Sequence, residues 1–316
     1  MRALSLSSMF LVACAPDLTV HASRVVAPRV VAVRGDPAEA RPGATVTLTA
    51  TVVQPAGTPV TPTVRWRACL AARSPSESGS IASACLGDDD AGALAPLGGA
   101  TTATQVTVTI PADACARIGP QTPAANNGEA RTRAPDPDVT GGWQLPVRLD
   151  LAAGNATETM FARYRVRCLP PDVPGATAAA WATRYVNDAN PALTGVFAVV
   201  DGAPRGLPRD ATTPVDLGAL RDVPVLALWD AASAERYVRV DPATRALVER
   251  TEALELTWYT DGGSFARDRT VPDVSGTASA NVLHLDAGVT SARVWVVLRD
   301  ERGGVDVVAT AVRSAG

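Results

Sequence analysis

Residues 45–52 read Thr45-Val46-Thr47-Leu48-Thr49-Ala50-Thr51-Val52. Four apolar side chains alternate with four threonines, which marks an extended strand with one face in a core and the other in water. The alternation recurs. Val64, Trp66 and Ala68 alternate with Arg65 and Arg67, and Val106, Val108 and Ile110 with Thr107 and Thr109. Val147, Leu149 and Leu151 alternate with Arg148 and Asp150, and Ala162, Tyr164, Val166 and Cys168 with Arg163, Arg165 and Arg167. Short β-branched runs between Gly and Pro, with no long helical period to compete, predict an all-β chain built as an antiparallel β-sandwich of immunoglobulin-like type.

A second set of candidate strands follows Pro170-Pro171-Asp172-Val173-Pro174-Gly175, at 195–200, 223–229, 237–240, 254–259, 281–285, 292–299 and 305–312. Asp300-Glu301-Arg302-Gly303-Gly304 joins the last two, a hairpin signal whose glycines accept positive φ. Thr63-Val64-Arg65-Trp66 aligns with Glu255-Leu256-Thr257-Trp258, and Val147-Arg148-Leu149 with Val296-Val297-Leu298, so one fold is expected twice, in tandem. The first sandwich is expected over residues 28–170, enlarged by insertions at 71–103 and 119–141. A linker follows over 171–187 and the second sandwich over 188–316. A length of 316 residues suits two domains of about 150 each.

All 29 basic residues are Arg, and the formal charge of -3 removes the simple case for nucleic acid, which needs clustered excess basic charge. Arg2 is the only charge before a weakly apolar run from Ala3 to Ala13. That run has the length of a secretory h-region and falls short of the roughly 20 residues of a spanning helix. It ends in Leu11-Val12-Ala13-Cys14, which resembles the lipobox of bacterial lipoproteins. The resemblance implies removal of residues 1–13, a lipid on Cys14 that attaches the chain to a membrane, and a tether over residues 14–27. Ala15 stands where enterobacterial lipoproteins retained at the inner membrane carry Asp, which implies the outer membrane.

With Cys14 lipidated, Cys69, Cys85, Cys115 and Cys168 form an even set in an oxidising compartment. Three pairings are possible. Strand direction and face parity favour Cys69 with Cys85 and Cys115 with Cys168. No CxxC spacing suggests a metal on these thiols. The layout of a lipobox, two Trp-containing sandwiches and a terminal Trp295-to-Gly304 hairpin resembles surface lipoproteins of GC-rich Gram-negative bacteria with bacterial immunoglobulin-like domains. That resemblance implies an envelope protein and brings no catalytic residues or cofactor with it.

Of the two histidines, His21 lies in the tether and His284 on the outward face of a strand with Val282 and Asp286, and no nucleophile elbow precedes either. Catalytic and metal residues are therefore not expected, although Asp88-Asp89-Asp90 and Asp136 with Asp138 offer loop carboxylates to calcium. If their strands are neighbours, Arg65, Arg67, Arg148, Arg163, Arg165 and Arg167 share an outer face with only Asp150. That face fits an anionic glycan or headgroup through bidentate contacts. The competing reading has the Cys85 insertion fold over it and Asp88, Asp89 and Asp90 neutralise it. In the second sandwich Tyr259, Trp295 and Val297 form an outward patch for a partner, unless Trp181 and Tyr185 of the linker or the first domain cover it. The expected function is a membrane-anchored, non-catalytic binding or structural module with an envelope protein or anionic glycan as partner. The alternatives are an accessory domain of an envelope enzyme, a weak metal-dependent hydrolase, or a subunit of an envelope assembly.

Overall fold

The structure is a computed structural model that describes residues 21–57, 61–74, 76–77, 80–87, 92–98, 103–119, 141–170 and 173–315. Each alternating run quoted above lies in a strand, with Ile110 and Cys168 one residue beyond strand ends. The first unit contains β1 (Arg29–Asp36), β2 (Glu39–Ala40), β3 (Thr45–Val53), β4 (Thr63–Cys69), β5 (Leu94–Pro96), β6 (Gln105–Thr109), β7 (Gly142–Ala153) and β8 (Ala156–Arg167). A short helix α1 (Ala114–Arg117) precedes β7. One sheet has the order β1-β3-β6 and the other β2-β8-β7-β4-β5, with β2 parallel to β8. The first strand thus divides between the sheets, as in immunoglobulin-like sandwiches. Val46, Leu48 and Ala50 are buried in the core against Trp66, Leu149 and Tyr164.

Helix α2 (Gly175–Arg184) leads to the second unit, which contains β9 (Leu193–Val200), β10 (Ala203–Leu207), β11 (Val215–Asp216), β12 (Asp222–Trp229), β13 (Arg236–Val240), β14 (Leu247–Thr251) and β15 (Leu254–Thr260). It ends with β16 (Gly263–Phe265), β17 (Arg269–Thr270), β18 (Ala278–Leu285), β19 (Ser291–Asp300) and β20 (Val305–Arg313). Its sheets are β10-β9-β12-β18-β16 and β11-β20-β19-β15-β17, with β11 parallel to β20. The fold is therefore used twice, with Trp66 on β4 and Trp258 on β15 both 0 % exposed in equivalent strands. The cross-strand register differs from the alignment by two residues. Trp66 pairs with Leu149, but Trp258 pairs with Val296, not Leu298. A pattern of period two is preserved by a two-residue slip, so alternation alone cannot exclude it.

Three features depart from the sequence reading. The linker contains α2, an Ala-rich helix beginning after Pro174. Its buried Trp181 packs on Tyr185, Val238 and Leu247, so it rests on the separate β13–β14 hairpin. The end of the expected tether is docked on the second unit, where Val25 N–H donates to the Thr260 carbonyl at 2.8 Å and Thr260 N–H to the Ser23 carbonyl at 2.9 Å. Finally, β1, which the alternation did not mark, carries a bulge between Val30 and Ala32. An extra residue breaks the alternation. Val31 and Ala32 both face the second unit while Val30 packs into the core of the first.

Candidate anion-binding cleft

The six arginines expected on one face meet different fates. Arg148 is 3 % exposed: its Nε donates to Asp150 at 2.9 Å and its Nη1 to the carbonyls of Cys85, Leu86 and Gly87 at 3.3, 3.2 and 2.6 Å. The insertion therefore folds over this side chain, held there by the Cys69–Cys85 bridge. Arg67 donates to the other oxygen of Asp150. Burial opposes the charged form of Asp150, but hydrogen bonds from Arg67, Arg148 and Thr159 outweigh it and hold the carboxyl below its ordinary range. Arg165 is 3 % exposed and donates to the Tyr185 hydroxyl, with the Glu39 carboxylate 3.5 Å away. Arg167 bonds Asn187 and lies over the rings of Trp181 and Tyr185. Arg65 and Arg163 are exposed and make no ion pair with a described residue.

Tyr259, Trp295 and Val297 are 9, 6 and 0 % exposed, packed with Val25, Val31, Ala32 and Val53. This patch is closed within the chain, by the first unit and the docked N-terminal segment, and α2 takes no part in the cover. Its outward orientation on β15 and β19 was legible, and cover by the first domain was one of the readings; which residues supply that cover was not legible, because the bulge that turns Val31 and Ala32 toward it leaves no signal in alternation.

Beside this contact the two units leave a cleft of about 770 Å³. From the first unit β8 contributes Arg163, and from the second β13, β14, β17 and β19 contribute Arg239, Arg250, Arg269 and Arg299; Arg73 lies at the rim. Glu301 pairs with Arg250 at 3.2 Å and Glu255 with Arg269 at 3.5 Å. Arg163 and Arg239 have no such partner among the described residues, and Arg239 Nε is buried without an acceptor. The cleft thus carries an excess of guanidiniums, and a planar donor fork in a concave, partly dry setting favours carboxylate, sulfate or phosphate. Arg163, and Arg165 beside it, were in reach of sequence reasoning; Arg239 and Arg250 belong to the β13–β14 sheet, Arg269 and Arg299 to the β15-containing sheet, and Arg73 to a loop.

The floor of the cleft is a buried ionic cluster on the hairpin from Asp300 to Gly304. Arg302, 1 % exposed, donates to Glu252, to the Glu235 carboxylate at 2.9 Å and to the Val186 carbonyl at 2.8 Å, and lies over the Tyr237 ring. Asp300 Oδ1 accepts the backbone N–H groups of Arg302, Gly303 and Gly304 at 3.0, 2.7 and 2.8 Å. Burial, reinforced by the Asp300 charge, pushes Asp188 up to about 9, and burial pushes Glu252 up to about 7 against the pull of Arg302. Asp300 is raised as well, chiefly by burial. The hairpin was visible as a turn, but nothing in Glu301-Arg302-Gly303 distinguishes a buried arginine from a solvated one.

The disulfides Cys69–Cys85 and Cys115–Cys168 are both present. His284 Nδ1 lies 2.6 Å from Asp222 on an open sheet face, with Ser264 its cross-strand neighbour, and no hydrogen bond joins Ser264 to the imidazole. His21 is exposed. Cys14, Asp88, Asp89, Asp90, Asp136 and Asp138 lie outside the described residues. No helix among the described residues is long and apolar enough to cross a membrane.

No protein-family model matches the chain, and no curated protein matches it. Among solved structures it is similar to the D0-D1 domain of intimin at 12% identity and a TM-score of 0.20, covering 89% of this chain and 98% of that one. It is also similar to the Yersinia pseudotuberculosis adhesin InvE at 11% identity and a TM-score of 0.22, covering 90% and 58% of the two chains. Dimeric latent PorU from Porphyromonas gingivalis follows at 9% identity and a TM-score of 0.24, covering 92% and 24%. The fold assignment rests on the sheet order and registers above.

Proposed function

We propose that the chain is a bacterial envelope protein anchored at the outer membrane through lipid on Cys14, and that it acts as a non-catalytic module binding an anionic polymer in the cleft between its two sandwiches. The observation that carries this reading is the pair Arg163 and Arg239, which face the cleft from different units and form no salt bridge with a described carboxylate, Arg239 meeting the Asp241 charge only at longer range. A ligand held by both would be gripped by the junction itself. A triple substitution of Arg163, Arg165 and Arg167 would be uninformative, because Arg165 is part of the buried junction. The test is binding of soluble protein, lacking residues 1–14, to polygalacturonate and to lipopolysaccharide. Binding should be saturable, weaken with salt, and fall at least about tenfold in Arg163→Glu/Arg239→Glu, since each charge-assisted contact contributes about 1.5–3 kcal/mol. Equal binding by the variant refutes the cleft as the site.

A further inference from the structure

Asp188, Glu252 and Asp300 each bring one carboxylate oxygen into a group whose members lie within 4.8 Å of one another. Such a cluster alone is weak ground, because buried acids are commonly satisfied by donors. Here they are not. The Asp188 side chain is 0 % exposed and neither of its oxygens accepts a hydrogen bond, and Asp300 Oδ2 is likewise buried without a donor. Three donorless oxygens in one buried place call for either a proton or a cation, since an unpaired buried charge is costly.

Arg302 supplies the cation only in part, as an ion pair with Asp188 that is too long to be a hydrogen bond. Its hydrogen bonds go to Glu252, Glu235 and Val186, and its Nε is 3.7 Å from Asp188 Oδ1, beyond hydrogen-bonding reach. The nearby Arg165 is engaged by Tyr185 and Glu39. At this junction the carboxylates of Glu39, Asp188, Glu235, Glu252 and Asp300 thus outnumber the guanidiniums of Arg165 and Arg302. Asp188 and Asp300 accept no side-chain hydrogen bond from either guanidinium, and one divalent ion bound between them would stabilise both in their charged forms. Backbone oxygen is at hand as well: from the position of a Cβ on Gly304, Asp300 Oδ2 lies at 2.1 Å and the Ala189 carbonyl oxygen at 2.8 Å. Asp300 also lines the cleft, which gives an entry path.

We propose that Asp188, Glu252 and Asp300 form a binding site for a hard divalent cation, calcium in preference to magnesium, at the junction of the two sandwiches. Carboxylate and carbonyl oxygens in irregular geometry suit calcium, whereas magnesium dehydrates reluctantly and keeps several waters. The site joins three segments: Asp188 after α2, Glu252 after β14 and Asp300 at the end of β19. Occupancy would therefore lock α2 and the β13–β14 hairpin to the second sandwich, and through Glu39, which accepts the Asp188 N–H at 2.9 Å, to the first.

The test uses the purified full chain stripped with chelator. Calcium at about 100-fold above its Kd should raise the melting midpoint by about 5 °C or more. Terbium bound at the site should show luminescence sensitised by Tyr185 and Tyr237, displaced by calcium and lost in folded Asp188→Asn and Asp300→Asn. If either variant fails to fold, the wild-type calcium shift and metal content per chain after dialysis still decide. A midpoint unmoved by millimolar calcium overturns the proposal and leaves Asp188 and Asp300 as a proton-sharing pair. Terbium luminescence undiminished in a folded Asp188→Asn chain also overturns it, by assigning the metal to other acidic residues.

Discussion

Replacing Arg302 by Met tests whether the guanidinium at the cleft floor holds the junction together. Methionine keeps an unbranched stem against Tyr237 but removes every donor. The change leaves Glu252 and Glu235 without their charged partner, deprives the Val186 carbonyl of its hydrogen bond, and takes the nearest cation away from Asp188. Breaking one side of a buried ion pair costs about 3–5 kcal/mol, because the remaining charge stays buried. Three bonds lost from a side chain 1 % exposed place this change near the middle of that range, about 4 kcal/mol. With a urea slope of about 2–3 kcal/mol/M, the midpoint should fall by about 1.3–2 M. Tryptophan fluorescence followed through urea in chelator is the assay, and Arg302→Met/Glu252→Gln should recover part of the loss. A single variant within about 0.3 M of wild type would refute the argument and show that the acids relax or take up protons at little cost.

Gly141 has a φ of +81°, and a Cβ there would lie 2.0 Å from Cζ2 of Trp181. Gly141→Ala should therefore free α2 from its seat, visible as a red-shifted Trp emission and faster proteolysis between residues 173 and 187. Removing Cys115–Cys168, which spans 53 residues, should cost about 4 kcal/mol by loop entropy, against about 3 kcal/mol for Cys69–Cys85, which spans 16. Paired Cys→Ser variants compared in denaturant would check the order. Asp150 is held below its ordinary pKa of 3.8, so its contribution is present above that value and is lost as pH falls through the lowered one. Wild type should thus be more stable than Asp150→Asn at pH 7, with the gap closing in acid; a gap that stays constant with pH would contradict the assignment.

The strands were legible because each buries one face, and alternation records that directly: Val46, Leu48 and Ala50, or Val294, Val296 and Leu298, need no tertiary knowledge. The disulfide pairing followed from the same parity. The junction was not legible, for two reasons. β1 breaks alternation at its bulge, so Val31 and Ala32 give no sign that they cap Trp295. Arginine, which replaces lysine throughout the chain, is used both as a solvated side chain at Arg65 and as a buried cation at Arg148, Arg165 and Arg302, and the sequence around each looks alike. The sorting is done by carboxylates distant in sequence, such as Glu39 for Arg165 and Glu252 for Arg302.

If Cys14 carries the proposed lipid, the docking of residues 22–25 on β15 would set how high the molecule stands above a membrane. With the proposed anchor at Cys14, eight residues lead to Ala22, and even fully extended they reach about 28 Å. Ala22 and Ser23 donate their backbone N–H groups to Asp268 of the second unit, so with that anchor the second unit would be the one kept on a short leash at the bilayer. The first unit would then be carried on its shoulder rather than stand between it and the lipid. Order of display would thus run against order of synthesis, and lengthening residues 15–21 would raise both domains together.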